Sequence, residues 1–279
     1  MMRWKISAFA DEYADDFEEQ CDALRTLRIE YTELRHADGK NVGDWTAGDV
    51  AKVKNTLARY GIGVSAIGSP IGKIAIDGDL AAHFDMAERV FETAATLNVR
   101  NVRIFSFYSS QRASPEAYKE QVFDALETLL SRAAPYGVTL CHENEAAIYG
   151  ESPERCLQLF ERFGGRLKCV FDMGNFVLDG YDPQEAFALL KPHIAYFHIK
   201  DALSAGAVVP AGKGEAHIRD ILDAYRKTAK EDAFITLEPH LQTFGGLNAL
   251  VGKTFENPYR YPDCKTAFID GWNHLKGLL

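Results

Sequence analysis

The feature that most constrains the fold is an eightfold alternation of short apolar runs with amphipathic helical stretches, repeating roughly every 35 residues. Each apolar run ends in polar residues, as a strand leading into a loop does. The runs are WKISAFA, IEYTELR, GVSAIG, VRIFSF, VTLCHEN, KCVFDMG, IAYFHIK and FITLEPH. Helices are predicted between them, most clearly at 80–97, 115–135 and 184–191, with a last helix at roughly 264–278. This repeated βα unit predicts parallel strands joined by crossover helices.

No linker rich in proline or glycine and no shift in composition divides the chain, so one domain over residues 1–279 is expected. Eight units fit a closed barrel better than a doubly wound sheet, which usually has fewer strands in a domain of this size. The predicted fold is therefore a single (β/α)8 TIM barrel of the α/β class.

Charge and composition exclude several classes of function. The formal net charge is −9 and no cluster of lysine and arginine is visible, which argues against binding to a nucleic acid backbone. The segment MMRWKISAFADEY has too short an apolar run for a signal peptide or a membrane helix. The five cysteines are widely spaced and never form a CxxC pair, which argues against a disulfide framework. A cytoplasmic protein without a membrane partner is expected.

Strands five to eight of the predicted barrel each end in a group that can bind a metal. In such a barrel the reacting groups lie at the carboxyl ends of the strands. The groups are Glu143 in LCHEN, Asp172 in VFDMGN, His198 in YFHIKD and Glu238 in TLEPH. One acidic residue at a strand end is commonly a helix cap or a surface charge, and a lone histidine is commonly a core residue. Four such groups in register instead favour one divalent metal ion, with Mn²⁺ preferred and Mg²⁺, Co²⁺ or Zn²⁺ as alternatives.

Five short motifs resemble the metal-bearing strand ends of the xylose isomerase-like TIM barrels. They are HENE (142–145), FDMGN (171–175), FHIKD (197–201), GKGE (212–215) and LEPH (237–240). The resemblance covers nearly the whole chain and is strongest to the ketose 3-epimerase and hydroxypyruvate isomerase branches. It implies that Glu143, Asp172, His198 and Glu238 bind one divalent metal ion. It also implies that Glu143 and Glu238 act as the catalytic acid/base pair.

The chemistry of sugars gives an independent reason for this arrangement. A proton next to a sugar carbonyl is too weakly acidic for a carboxylate unless a metal stabilises the enediolate. If one glutamate removes the proton and the other returns it on the opposite face, the product is an epimer. If the proton returns to the adjacent carbon, the product is an aldose or ketose isomer. A sugar or sugar phosphate isomerase or epimerase is therefore predicted.

Residues beyond the quartet are predicted to contact the substrate, a small sugar or a sugar derivative. The resembled family often has histidine three positions after the metal aspartate, where this chain has Asn175, which can donate a hydrogen bond but cannot carry a proton. Lys200, Glu33, Arg35 and His240 lie near predicted strand ends and complete the set of predicted substrate contacts. The alternative for Glu33, Arg35 and Lys200 is an ion pair that lines the mouth. The glycines around Lys213 indicate loop geometry in the first place, with phosphate binding by backbone N–H groups as the alternative.

Three other functions stay open on the sequence. A keto-sugar lyase or dehydratase would use the same base and the same metal. A sugar-binding subunit without catalysis would keep the barrel. A phosphodiesterase of the endonuclease IV type would need three metals, and strands three and four offer no histidine for them. The segment after strand eight carries Phe244, Phe255, Tyr259 and Tyr261, which suits a lid or the contact surface of a homo-oligomer.

Overall fold

Eight parallel strands form a closed barrel in the computed structural model, which describes residues 2–242 and 258–279. The strands are β1 (Trp4–Ala8), β2 (Tyr31–Leu34), β3 (Gly63–Gly68), β4 (Asn101–Ile104), β5 (Thr139–Glu143), β6 (Leu167–Asp172), β7 (Ile194–Ile199) and β8 (Ala233–Leu237). Each strand pairs with the next, and β1 pairs with both β2 and β8, so that Trp4 lies opposite Ala233. The predicted (β/α)8 barrel is confirmed.

Helices alternate with these strands. They are α1 (Phe17–Leu27), α2 (Ala47–Tyr60), α3 (Leu80–Thr96), α4 (Pro115–Ala133), α5 (Pro153–Phe163), α6 (Met173–Leu178), α7 (Pro183–Leu190), α8 (Ile218–Arg226) and α9 (Cys264–Leu278). The helices predicted at 80–97, 115–135, 184–191 and roughly 264–278 are confirmed within about two residues at each end. Two antiparallel pairs of short strands lie in the loops. His36–Ala37 pairs with Lys40–Asn41, and Asp201–Leu203 pairs with Ala207–Val209.

Local chemistry explains where the helices begin and end. At the start of α2, the Thr46 hydroxyl accepts a hydrogen bond from the Asp49 N–H, and the Asp49 carboxylate accepts one from the Thr46 N–H. This reciprocal capping box satisfies two backbone donors that the first turn would otherwise leave unpaired. The helix ends at Gly61, whose φ of 69° lies in the left-handed region that favours glycine.

Alternation along each strand separates an outer core from the barrel interior. Phe197 of β7 joins the large apolar cluster between strands and helices, whereas Tyr196 belongs to a small inner cluster with Ala66, Cys141 and Val170. Because successive side chains of a strand point to opposite faces, His198 points inward with Tyr196, and Glu143 points inward with Cys141. His142 points outward, and its Nε2 lies 2.9 Å from the Ser106 hydroxyl.

The segment after β8 is described only in part. Phe244 and Phe255, which were predicted to belong to a lid or an oligomer contact, lie outside the described residues. Tyr259 is partly exposed, and the Tyr261 hydroxyl donates a hydrogen bond to the Asp270 carboxylate over 2.6 Å. Within residues 2–242 and 258–279, none of the helices has both the length and the apolar character needed to cross a bilayer.

Candidate active site at the barrel mouth

The four predicted metal-binding residues meet at the carboxyl end of the barrel. Glu143 and Asp172 are the last residues of β5 and β6, His198 is the fifth of the six residues of β7, and Glu238 directly follows β8. One donor atom from each lies within 4.8 Å of the other three, and all four side chains are buried. Two ligands of a divalent ion, with bonds of about 2.1 Å, are separated by at most about 4.2 Å. Small side-chain movements would therefore close the set around an ion.

Asn144 holds the ends of β5 and β6 together next to the quartet. Its amide group donates to the backbone carbonyl of Asp172 over 2.9 Å and accepts from the backbone N–H of Asp172 over 3.1 Å. Asp172 also caps α6, because its Oδ1 accepts from the Asn175 N–H over 2.8 Å. These bonds fix the carboxyl groups of Glu143 and Asp172 relative to each other.

The carboxyl groups of the quartet differ in acidity because their neighbours differ. Burial alone would raise the pKa of Glu143, but His198 and Arg103 outweigh it and lower that pKa to about 2. Burial likewise opposes ionisation of Glu238, yet Lys200 and His198 hold its pKa well below the usual range. For Asp172 burial prevails over the Lys200 ammonium and raises the pKa to about 7. Both glutamates are therefore ionised at neutral pH.

Arg103 of β4 is a member of the site that the sequence analysis missed. Its Nη1 donates to Glu143 Oε2 over 2.7 Å, and the guanidinium carbon lies 4.5 Å from the centre of the Phe105 ring. The Arg103 side chain is only 3% exposed, so its N–H groups have little access to water. Its Nε and Nη2 atoms nevertheless have no hydrogen-bond acceptor among the described residues. Buried donors are rarely left in this state. The Arg103 guanidinium can therefore donate to a further oxygen at the mouth.

Arg35 connects the ends of β1, β2 and β8. Its Nε donates to Asp11 over 2.8 Å and its Nη1 donates to Glu238 over 3.0 Å. Glu12 follows next to Asp11, and one of its oxygens accepts from the His240 N–H over 2.8 Å. Burial raises the pKa of Glu12 to about 8, so this carboxyl group is mainly protonated at neutral pH. Arg35 thus positions a glutamate of the quartet.

Of the other predicted substrate contacts, Lys200, Asn175 and His240 lie beside the quartet and Glu33 lies beneath it. The Lys200 ammonium is 3.0 Å from Asp172 Oδ2, 3.0 Å from Asn175 Oδ1 and 3.2 Å from Glu238 Oε2. The His240 ring lies 3.4 Å from Glu238, and its burial lowers its pKa well below the usual value. Both oxygens of Glu33 are engaged by protein donors, so the described contacts lend no support to its predicted substrate contact.

The loop around Lys213 has its backbone donors occupied. One oxygen of Asp201 accepts from the N–H groups of Ala202 and Ala216, and the other accepts from those of Gly212 and Gly214. The N–H of Lys213 itself donates to the carbonyl of Pro210. These bonds support loop geometry and leave these N–H groups engaged within the protein rather than with a phosphate.

The donor set at the mouth suits a divalent cation. Three carboxylates and one imidazole are hard or intermediate ligands, as Mn²⁺, Mg²⁺ and Zn²⁺ prefer. The buried network around them has six carboxyl groups against three cationic side chains. Because Glu12 is mainly protonated at neutral pH, the surplus is two negative charges when His198 is neutral, as a metal ligand must be. The acids are Asp11, Glu12, Glu33, Glu143, Asp172 and Glu238, and the cations are Arg35, Arg103 and Lys200. Buried charge of one sign is costly, and a divalent cation would offset this surplus.

Asp11, Glu12 and Arg103 are the site members that sequence reasoning missed. Asp11 and Glu12 directly follow the first predicted strand, so the same strand-end rule that identified Glu143 would have found them. Arg103 lies inside an otherwise apolar strand run, and a charged residue at such a position is itself a signal.

Comparison with known proteins identifies the family and the fold. A family model described as xylose isomerase-like TIM barrel matches residues 21–273. No curated protein sequence matches the chain. A D-psicose 3-epimerase from Clostridium cellulolyticum H10, solved with D-tagatose, superposes with a TM-score of 0.75 at 12% identity, covering 98% of both chains.

Two further solved structures share the fold. A xylose isomerase-like TIM barrel protein from Mycobacterium smegmatis in complex with magnesium has a TM-score of 0.72 and 14% identity, covering 99% of this chain and 96% of that one. The probable 3-DHS dehydratase of Bacillus anthracis involved in petrobactin synthesis has a TM-score of 0.70 and 16% identity, covering 96% and 98%. At such identities the likeness shows the fold, and the chemistry must be argued from the site.

Proposed function

The chain belongs to the xylose isomerase-like TIM barrel family, and from this premise we propose that it is a divalent-metal-dependent isomerase or epimerase of a small sugar or sugar derivative. The observation that carries the proposal is the buried cluster of Glu143, Asp172, His198 and Glu238 at the barrel mouth. The D-psicose 3-epimerase among the solved structures of this fold supports the same class of reaction.

In the proposed reaction, the two glutamates of the cluster move the proton. His198 Nδ1 lies 2.7 Å from Glu143 and 3.3 Å from Glu238, so the two carboxylates flank one imidazole. When bound, a divalent ion would polarise a carbonyl oxygen, which makes the neighbouring C–H group acidic enough for a carboxylate. Glu143, held in place by Arg103 and His198, is proposed to remove that proton, and Glu238 to return it on the opposite face.

Arg103 completes the proposed site as an oxygen-binding group. Its Nη1 is committed to Glu143, and its Nε and Nη2 can donate to a substrate hydroxyl or carbonyl oxygen. A guanidinium donates in a fixed plane, so it would orient the substrate as well as bind it. Lys200, Asn175, Arg35 and His240 are proposed to line the remainder of the sugar site.

Metal stoichiometry tests the proposal first. The protein is reconstituted with Mn²⁺, desalted and measured by elemental analysis beside an Asp172→Asn variant. About one metal per chain, lost in the variant, is expected for a single site with this ligand set. About three metals would favour a phosphodiesterase, and none would favour a sugar-binding subunit without catalysis.

Solvent exchange then tests the chemistry. The reconstituted protein is incubated in ²H₂O with D-fructose, D-psicose and D-tagatose, and NMR follows the protons next to the carbonyl. An isomerase or epimerase is expected to incorporate deuterium at the reacting carbon, whereas Glu143→Gln should not. No exchange with any member of a broad panel of ketoses and sugar derivatives would contradict the proposal.

A dehydratase is the second candidate, favoured by the likeness to the probable 3-DHS dehydratase. The same base could remove the proton while a hydroxyl on the neighbouring carbon leaves as water. Growth of an ultraviolet-absorbing enone, rather than exchange in recovered ketose, would identify this reaction.

A further inference from the structure

We infer that Glu33 is a positioning residue that fixes the ring of His198, so that Nδ1 faces the proposed metal position. The inference rests on the proposed metal-dependent function, and it gives Glu33 a role other than substrate contact. Glu33 lies on β2, across the barrel interior from β7.

Opposite sides of the His198 ring face different partners. Nε2 lies 3.1 Å from Glu33 Oε2, while Nδ1 lies 2.7 Å from Glu143 Oε1 and 3.3 Å from Glu238 Oε2. The side chains of His198 and Glu33 are both 0% exposed. The ring is therefore held between one carboxylate beneath it and two carboxylates of the quartet above it.

Glu33 is itself held by neighbours of His198. The Tyr196 hydroxyl donates to Glu33 Oε1 over 2.9 Å, and the Thr236 hydroxyl donates to Glu33 Oε2 over 2.9 Å. Tyr196 precedes His198 by two residues on β7, and Thr236 of β8 is the register partner of His198. Thr236 donates to the same oxygen that faces His198 and keeps it next to the imidazole, whereas Tyr196 binds the other oxygen.

Both ring nitrogens lie next to carboxylates, so a metal ion at the quartet would take the Nδ1 side and the hydrogen bond to Glu33 would keep a proton on Nε2. With the Nε2–H donating to Glu33, the lone pair of the imidazole lies on Nδ1, where a metal ligand is needed. A carboxylate at the second nitrogen also makes the ring a better electron donor, and loss of such a partner typically lowers metal affinity by about 10-fold to 100-fold. Glu33 would thus act on the metal without touching it.

Binding of Mn²⁺, followed by the EPR signal of the free ion, tests this role without an activity assay. Glu33→Gln keeps the size of the side chain and one acceptor oxygen but removes the charge, and it is expected to raise the Mn²⁺ dissociation constant about 10-fold to 100-fold. Tyr196→Phe is the matched control, since it removes a bond to the same carboxylate but leaves both its charge and its contact with His198. Its dissociation constant should stay within about threefold of wild type.

The spectrum of bound Co²⁺ gives a second readout, which a general loss of stability would not move. Absorption bands of Co²⁺ report ligand geometry, so they should shift in Glu33→Gln and stay in place in Tyr196→Phe. Glu33→Asp, which keeps the charge, should recover part of the affinity and serves in place of Glu33→Gln if that variant does not fold. Equal affinity for Mn²⁺ in wild type and Glu33→Gln would overturn the inference while leaving the proposed function intact. A folded wild type that binds no Mn²⁺ would overturn both.

Discussion

The two halves of the barrel mouth supply different parts of the site. Strands β5 to β8 carry the four groups that can bind a metal, and they also carry Lys200. Residues on or directly after strands of the first half, β1 to β4, contact three of those groups. Arg103 contacts Glu143, Glu33 contacts His198, and Arg35 contacts Glu238.

The two halves show how parallel strands and ring closure bring distant side chains together. Donor groups on neighbouring strands reach the same point because parallel strands end at the same rim. Ring closure matters for two of the partners from the first half. Glu33 on β2 reaches His198 on β7, and Arg35 after β2 reaches Glu238 after β8, whereas Arg103 and Glu143 lie on the neighbouring strands β4 and β5. Within the second half, the Lys200 ammonium contacts both Asp172 and Glu238.

The largest expected effect comes from removing a charge in the second half. Glu143→Gln and Glu238→Gln should each lower the rate of exchange with ²H₂O by about 10² to 10⁴, because an amide cannot act as an acid or a base. Circular dichroism should show an intact fold in both. Near-normal turnover in either variant would remove that glutamate from proton transfer.

Arg103 tests the first half, with a smaller expected effect. Arg103→Met should lower kcat/KM by about 10² on a ketose that shows exchange, because Glu143 loses its partner and the substrate loses a donor. Arg103→Lys keeps the charge and should recover part of the loss. If Arg103→Met has wild-type kinetics, the first half supports the fold and takes no part in the chemistry.

Asp201 tests the scaffold of the second half. Its carboxylate accepts four backbone N–H bonds, and Asp201→Asn would place an amide nitrogen against two of those donors. The free energy of unfolding in urea should fall by about 2 to 4 kcal/mol, as expected for lost hydrogen bonds to a charged group. Glu215→Gln is the control, because that exposed side chain accepts a single hydrogen bond among the described residues, from the Ser204 N–H. Equal losses in both variants would contradict a special role for Asp201.

His83 tests the scaffold of the first half through pH. Its Nε2 accepts from the N–H of Gly72 over 2.8 Å, and burial lowers its pKa below the usual 6.5. Below pH 6.5 the unfolded chain therefore binds a proton that the folded protein resists, so stability should fall as the pH falls. Through this group the free energy of unfolding should fall by at most about 1.4 kcal/mol for each pH unit.

The check is a series of urea unfolding curves between pH 7 and pH 4.5. His83→Gln keeps an acceptor but does not titrate, so its stability should fall less steeply with pH than that of wild type. His217→Gln, at the partly exposed start of α8, is the matched control and should retain the wild-type slope. Parallel curves for His83→Gln and wild type would reject this assignment.

The sequence predicts the second half of the mouth better than the first for a physical reason. Periodicity locates strand ends, and strand ends place Glu143, Asp172, His198 and Glu238 at one rim, as the structure confirms. The contact between Arg35 and Glu238 joins residues 203 positions apart, and no local pattern encodes such a pair. Glu33 was predicted near a substrate because its strand was found, but the three donors around it come from β7 and β8.

Closure of the ring also sets an order of events during folding. Glu238 follows the last strand, and Trp4 of the first strand pairs with Ala233 of that strand. Because the chain is made from its amino terminus, Glu143, Asp172 and His198 are synthesised before Glu238. If the proposed site binds a metal ion, high-affinity binding would require the complete barrel. The rate of metal binding would then report the rate at which the barrel closes during folding.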